Sequence, residues 1–283
     1  MDALPSELVD LVVESIDADE DMHDLKSCCL AASIFRYPCQ KRVHRSMMLL
    51  FDSGLLDDDE ILVASPRYLW RSVLGYLENH PHLVQHVVAL RLFLPSSYRQ
   101  PPEESPHSLF AMSSVLGKLY NVRELEIVGR GLGCSSYAWS RLPLQFTDAL
   151  FEWLHACDGT LDQICCKFLH KLPPAAFEHM LAASSSLQFL RCRDDSDSDS
   201  EAREVSSQLS PATRPLRRLL FDQSESVIRF FLPADTQNYV LKGLKKLGLS
   251  SFSLPSPSSQ LCCAVADSLE DLTLHLDGRS VCV

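Results

Sequence analysis

The chain has 283 residues, with 26 Lys and Arg against 37 Asp and Glu, a net charge of −11. That balance argues against general affinity for nucleic acid or anionic membrane. With 46% hydrophobic and 22% charged residues the class is soluble and globular, neither disordered nor membrane-embedded, and the length suffices for a sizeable core.

The first element begins at Leu4-Pro5-Ser6-Glu7-Leu8. Proline suits a first helical turn, and Glu7 suits the positive end of the helix dipole. Leu8, Leu11, Val12 and Ile16 recur at helical spacing as an apolar stripe. After an acidic turn over 17–24, Leu25, Cys28, Cys29 and Ala32 repeat at i, i+3, i+4 and i+7. A third helix is expected from Pro38, with Cys39, Val43 and Met47 on one side and Lys41, Arg42, His44 and Arg45 on the other. Three short helices in about 50 residues bury too little to stand alone, so they need the following domain or a partner.

These residues carry a resemblance. Leu4-Pro5-x-Glu7-Leu8 with Leu11 and Ile16, then Leu25-x-x-Cys28-Cys29-Leu30-Ala31-Ala32-Ser33, then Gln40-Lys41-Arg42-Val43-His44 resembles the F-box, in particular the F-box-like N-terminus of mushroom-type fungal proteins. Phe35 stands where those sequences often carry tryptophan. The resemblance covers roughly residues 1–48 and implies docking to the Skp-type adaptor of a cullin ubiquitin ligase. It places Leu4, Pro5, Leu8, Leu11, Ile16, Leu25 and Leu30 at that interface.

Residues 49–81 read as a helical linker, with a helix over 66–77 in which Trp70 packs. The acidic run 57–60 lacks the spaced oxygens of a calcium loop. From 82 to 283 a pattern of apolar, two any, apolar, any, apolar recurs. It appears at Val87-Leu90-Leu92, Val122-Leu125-Ile127, Leu161-Ile164-Cys166, Leu187-Leu190-Cys192, Leu216-Leu219-Phe221, Leu244-Leu247-Leu249 and Leu269-Leu272-Leu274. The later copies follow one another at the roughly 20–29 residues of leucine-rich repeats, and the earlier ones are longer. Helical stretches fall between them at 108–120, 147–157, 174–183, 225–232, near Tyr239, and 260–266.

The fold class expected is therefore α/β: an N-terminal three-helix bundle, then an irregular leucine-rich-repeat-like solenoid with a parallel sheet on its concave side. The repeats lack the asparagine or cysteine position of the regular motif. An ordinary doubly wound sheet is the rival, without a glycine-rich strand-to-helix loop to support it. An acidic, serine-rich stretch over 194–210 reads as a disordered insertion, with serines open to acid-directed phosphorylation.

Searches for chemistry find nothing. Gly129-Arg130-Gly131-Leu132-Gly133 lacks dinucleotide spacing, and the 10 histidines form no HExxH. Glu178-His179 reads as a solvent-facing pair. Of the 11 cysteines, three adjacent pairs (Cys28-Cys29, Cys165-Cys166, Cys262-Cys263) point to small buried hydrophobes in a reducing compartment, not to zinc or disulfides. Without an apolar run long enough to span, or a basic leader, the expected location is cytoplasmic or nuclear. No cofactor, metal, nucleic acid or membrane partner is expected.

The outward strand positions gather positive charge in an acidic protein. Arg91, Phe93, Lys167, Phe189, Arg191, Arg193, Arg218 and Lys246 are the expected substrate-binding face for an acidic or phosphorylated protein segment. The function expected is a non-catalytic substrate-recognition adaptor of a Skp-cullin-F-box ubiquitin ligase. The alternative is a repeat scaffold whose N-terminal helices only cap the solenoid.

Overall fold

A computed structural model of the chain describes residues 5–16, 22–50, 67–94, 106–129, 137–193, 215–232, 240–250, 256–276 and 279–282. Leu4, the run 57–60, the loop beyond Gly129, the insertion 194–210 and the stretch near Tyr239 lie outside them.

The chain opens with three helices, α1 (Ser6–Ser15), α2 (Met22–Ala31) and α3 (Ser33–Val43). Helix α3 starts five residues before the proline that was expected to begin it, and Pro38 lies inside it. There it removes one intrahelical bond, to the carbonyl of Ile34. Met47 does not extend this helix. It belongs to a strand, β1 (Ser46–Leu50), that sequence periodicity did not reveal. Four successive residues, Met47 to Leu50, are buried, so the segment is a continuous apolar run without alternation.

The linker also holds a strand, β2 (Arg67–Leu69), before α4 (Trp70–Asn79) and a 3-10 turn (Pro81–His86). Then follow β3 (Ala89–Leu94), α5 (Pro106–Lys118), β4 (Glu124–Gly129), β5 (Tyr137–Ala138), α6 (Leu144–Cys157), β6 (Gln163–Lys167) and β7 (Leu169–His170). After α7 (Pro174–Ala183) come β8 (Ser186–Leu190), β9 (Arg218–Asp222), α8 (Glu225–Ile228), β10 (Lys246–Ser250), α9 (Pro257–Val265), β11 (Asp271–Leu276) and β12 (Arg279–Cys282).

The molecule is α/β. Among the described residues the main sheet has ten strands in the order β12-β11-β10-β9-β8-β6-β4-β3-β1-β2, and β5 pairs with β7 in a separate short ladder. All neighbours in the main sheet are parallel except β11 and β12. From β1 onward the strand order follows the chain in one direction, with β2 set outside β1, and it has no interior reversal of the doubly wound kind.

Every step from β1 to β11 except that from β6 to β8 is locked in the same way. The carbonyl of Arg45 accepts the N–H groups of Val88 and Ala89, and that of Val88 accepts Arg123 and Glu124. The carbonyls of Arg123, Ser185, Arg217 and Lys245 repeat the arrangement on β6, β9, β10 and β11. One carbonyl with two lone pairs thus satisfies two successive donors at the entrance to the next strand.

One face of the sheet is dry. Leu90, Leu92, Leu125, Ile127, Ile164, Cys166, Leu187, Phe189, Leu219, Phe221, Leu247 and Leu249 form a single core with the inner sides of α4 to α7 and α9. Asn121 donates to the Gln85 carbonyl, Arg123 to that of Thr160, and the Trp153 indole to that of Leu119, which ties together the units that carry β3, β4 and β6.

The fourth repeat has a different register from the one the sequence suggests. Ser184 bridges Leu161, Leu187 pairs with Ile164, and Phe189 pairs with Cys166. The repeat is therefore Ser184-x-x-Leu187-x-Phe189. Its first apolar position is taken by a serine that is 1% exposed, with its hydroxyl donating to the Ser186 carbonyl and accepting from the Ser186 N–H. A buried serine satisfied by its own chain is silent in a hydrophobic pattern.

Candidate functional site

Two surfaces carry the residues singled out from the sequence. The first is the helical unit. Val13, Leu25 and Cys39 are fully buried at its centre, with Ile16, Cys28, Cys29, Phe35 and Val43 packed around them. Arg42 donates to the Ile16 carbonyl at 3.2 Å, joining α3 to the end of α1. Burial first, then the neighbouring Cys28 and Cys29, pushes the Cys39 thiol up to about 11.

The inner face of α1 is Val9 and Val13. Leu8 (48% exposed), Leu11 (60%) and Val12 (46%) face outward at i, i+3, i+4, and Leu30 is 87% exposed. Ile34 and Tyr37 are also exposed, and so is Pro5. Of the residues expected at an adaptor interface, Pro5, Leu8, Leu11 and Leu30 are thus accessible. Leu25 is not: it is core, because its position on α2 points at both other helices. Ile16 is half-buried against the same core.

The second surface is the sheet face opposite the helices. Cross-strand register sets its rows: Arg91 beside Glu126 and Cys165, Val128 beside Lys167, and Arg218 beside Lys246 and Asp271. Glu126 is bound by two cations, Arg91 at 3.0 Å and Lys167. Lys246 is 3.3 Å from Asp271. Three of the expected basic residues are therefore matched by carboxylates on adjacent strands, and the face is mixed in charge. Phe93 is half-buried and Arg218 exposed on this face.

Phe189 is not on this face. It is 1% exposed on the helix side, where its ring lies 5.6 Å from Phe177 and 5.7 Å from Phe221. The shifted register is the reason, since moving the repeat by three residues exchanges the two faces of the strand. Arg191 and Arg193 are exposed but lie past the end of β8. Arg191 has a left-handed backbone (φ 53°) and its guanidinium sits 5.7 Å from the Phe168 ring centre, while Arg193 bridges His170. They are separated from Arg218 by the length of a strand, because Arg218 opens β9.

Sequence reasoning missed Gln188, Leu190, Leu220 and Ser250, which take the open positions of β8 to β10. Aligning Phe189 with Phe221 would have found Gln188 and Leu190, and Leu220 and Ser250 follow from the registers of β9 and β10 as read. At Cys165, also on this side, burial pushes the thiol up to about 11, with Lys167 opposing and Glu126 adding. The cysteine pairs are not uniformly buried: Cys165 and Cys166 are buried, as are the single Cys39, Cys157 and Cys192, whereas Cys28, Cys29 and Cys262 are half-buried and Cys263 is exposed.

His179 also differs from expectation, since it stacks on Phe151 at 4.4 Å instead of facing solvent. Among the described residues no group of three or more His, Cys, Asp or Glu could hold a metal ion, and no helix is long and apolar enough to cross a membrane. No family model matches the chain, and neither does any curated protein.

Proposed function

We propose that the chain is a non-catalytic substrate-recognition adaptor of a Skp-cullin-F-box type ubiquitin ligase. Its N-terminal helices bind the Skp-type adaptor, and the open sheet face of a leucine-rich-repeat-like solenoid receives a target protein. The observation that carries this reading is the outward apolar stripe of Leu8, Leu11 and Val12 on a helical unit in which, among the described residues, the buried side chains are Val9, Val13, Leu25 and Cys39. A stripe of that kind is stable in water mainly as an interface. The chain's part in ubiquitin transfer is then to supply proximity, with the chemistry done elsewhere in the complex.

The solenoid reading is supported by the one-directional strand order and the repeated two-donor carbonyls. It gains from the corrected register of the fourth repeat, which puts Cys192 at the asparagine or cysteine position of the regular motif, beside Ser224 at the same position of the next repeat. The Cys192 N–H donates to the Ser224 hydroxyl at 2.9 Å and its thiol to the Cys166 carbonyl, while Ser224 donates to the Phe189 carbonyl. These are links between successive turns made by side chains at that position.

The rival reading is a scaffold in which the helices only cap the sheet. It is favoured by the direct bonding of Arg45, two residues beyond α3, to β3. Gel filtration of the full chain with a purified Skp-type adaptor separates the two. A 1:1 complex that is lost in Leu8→Glu/Leu11→Glu supports the ligase adaptor, whereas separate elution of the wild-type chain supports the cap.

A further inference from the structure

Four histidines gather where the helical unit meets the sheet. His44 ends α3, His80 and His82 flank the start of the 81–86 turn, and His86 closes it. Helix α3 packs directly on this turn, with the Tyr37 ring set edge-on to His86 at 5.3 Å. His44 Nε2 is 3.5 Å from the Tyr76 hydroxyl, the His44 and Tyr76 rings are 6.0 Å apart, and Tyr76 is 5.0 Å from His80. His80 and His82 are 6.1 Å apart.

The two inner rings, His44 and His86, are the less accessible ones: His86 is buried and His44 half-buried, while His80 and His82 are exposed. The groups acting on His44 are His86, His82 and His80 from the turn and Lys26 from α2. Those acting on His86 are His82 and, from α3, Lys41. None is a carboxylate. Burial first and these basic neighbours second lower the proton affinity of both rings below the ordinary value of 6.5.

We propose that this histidine joint is a pH-sensitive hinge that holds the N-terminal helices against the sheet near neutrality and loosens on acidification. Burial and the basic groups around the inner rings favour their neutral form, so the closed joint takes up protons less readily than the open one. Acid therefore shifts the balance toward opening. The proposal concerns the joint alone and stands whatever partners either side of it binds.

Hydrogen exchange of the full chain, followed by mass spectrometry and corrected for intrinsic exchange, tests it at about pH 7.5 and about pH 5.5, on either side of the histidine range. Protection in 37–45 and 76–88 should fall severalfold at the lower pH, because the open form takes up protons that the closed joint resists. Protection in Arg218–Asp222 and Lys246–Ser250 should hold. In His44→Gln/His86→Gln the drop should disappear. His82→Gln removes an exposed basic ring that acts on both inner rings, and should shrink the drop without burdening folding. Equal protection at the two pH values, a loss shared by the whole sheet, or an undiminished drop in the folded variants would overturn the hinge.

Discussion

The register of β8 makes a quantitative prediction about two adjacent residues. Phe189 is 1% exposed and its ring lies within about 6 Å of three others: Phe177 at 5.6 Å, Phe221 at 5.7 Å and Phe231 at 6.3 Å. Truncation to alanine removes a buried aromatic from the middle of that stack and leaves a cavity, a change that costs about 3–5 kcal/mol in a packed core. Leu190 is half-exposed on the open face, so Leu190→Ala forfeits only part of its burial and should cost below about 1 kcal/mol. Urea unfolding followed by circular dichroism reads both. With a slope of about 2–3 kcal/mol/M, Phe189→Ala should lower the midpoint by on the order of 1 M or more, and Leu190→Ala by a few tenths. Had the strand kept the Leu187-Leu190-Cys192 register, the ranking would invert. A Leu190 variant less stable than the Phe189 variant would therefore refute the assignment of faces, and with it the placement of every open-face residue on β8.

Three further expectations follow from burial and spacing. In the helical unit, Leu25→Ala should destabilise by about 2–5 kcal/mol, whereas Leu30→Ala, at 87% exposure, should stay within about 0.5 kcal/mol; thermal melts of the two variants give the comparison. A Cβ at Gly129 would stand 2.6 Å from the Phe168 carbonyl oxygen and 2.8 Å from the Tyr137 Cβ, but at Gly248 it meets only the mobile end of Leu220. Gly129→Ala should therefore cost about 1–3 kcal/mol and Gly248→Ala clearly less, by the same melts. Finally, burial against Phe151 lowers the proton affinity of His179 from the ordinary 6.5, with Glu178 opposing and His155 assisting. A group whose folded value is depressed contributes its full stability above the unfolded value and loses it as pH falls through the folded one. His179→Gln should thus unfold with a weaker acid dependence below about pH 6.5 than the wild type, and parallel pH profiles would count against the stacked geometry.

What could be read from the sequence divides along physical lines. Repeats whose three marked positions are all aliphatic, such as Val122-Leu125-Ile127 and Leu244-Leu247-Leu249, announce both strand and register, because only their inner side is apolar. The fourth repeat hides because a serine with an internally satisfied hydroxyl replaces its first aliphatic residue. The first strand hides for the opposite reason: with Met47 to Leu50 all buried, it has no polar side to set a period. The candidate binding face was legible as a set of outward cations but not as a potential. A pattern along one strand says nothing about what stands beside it, and Glu126 on β4 lies between Arg91 on β3 and Lys167 on β6. Charge on a sheet face is a property of the cross-strand neighbours, fixed only once the register is known.

The same logic settles which side of α1 can face a partner. Between Leu8 and Ile16 the helix carries Leu8, Val9, Leu11, Val12, Val13 and Ile16, apolar residues around most of its circumference, so periodicity alone could not choose an inner face. The choice is made by α3, against which α1 packs, and it falls on the β-branched Val9 and Val13. Small side chains bring the helices close and leave the longer leucines, Leu8 and Leu11, pointing away. Fully burying one such leucine is worth about 1.5–3 kcal/mol, so covering both, together with Val12 and Leu30, would supply several kcal/mol to an association. A unit whose buried side chains, among the described residues, are Val9, Val13, Leu25 and Cys39 has little interior to rearrange, and gains on that scale from cover. The outward stripe is where an added partner would contribute most to the stability of this part of the chain.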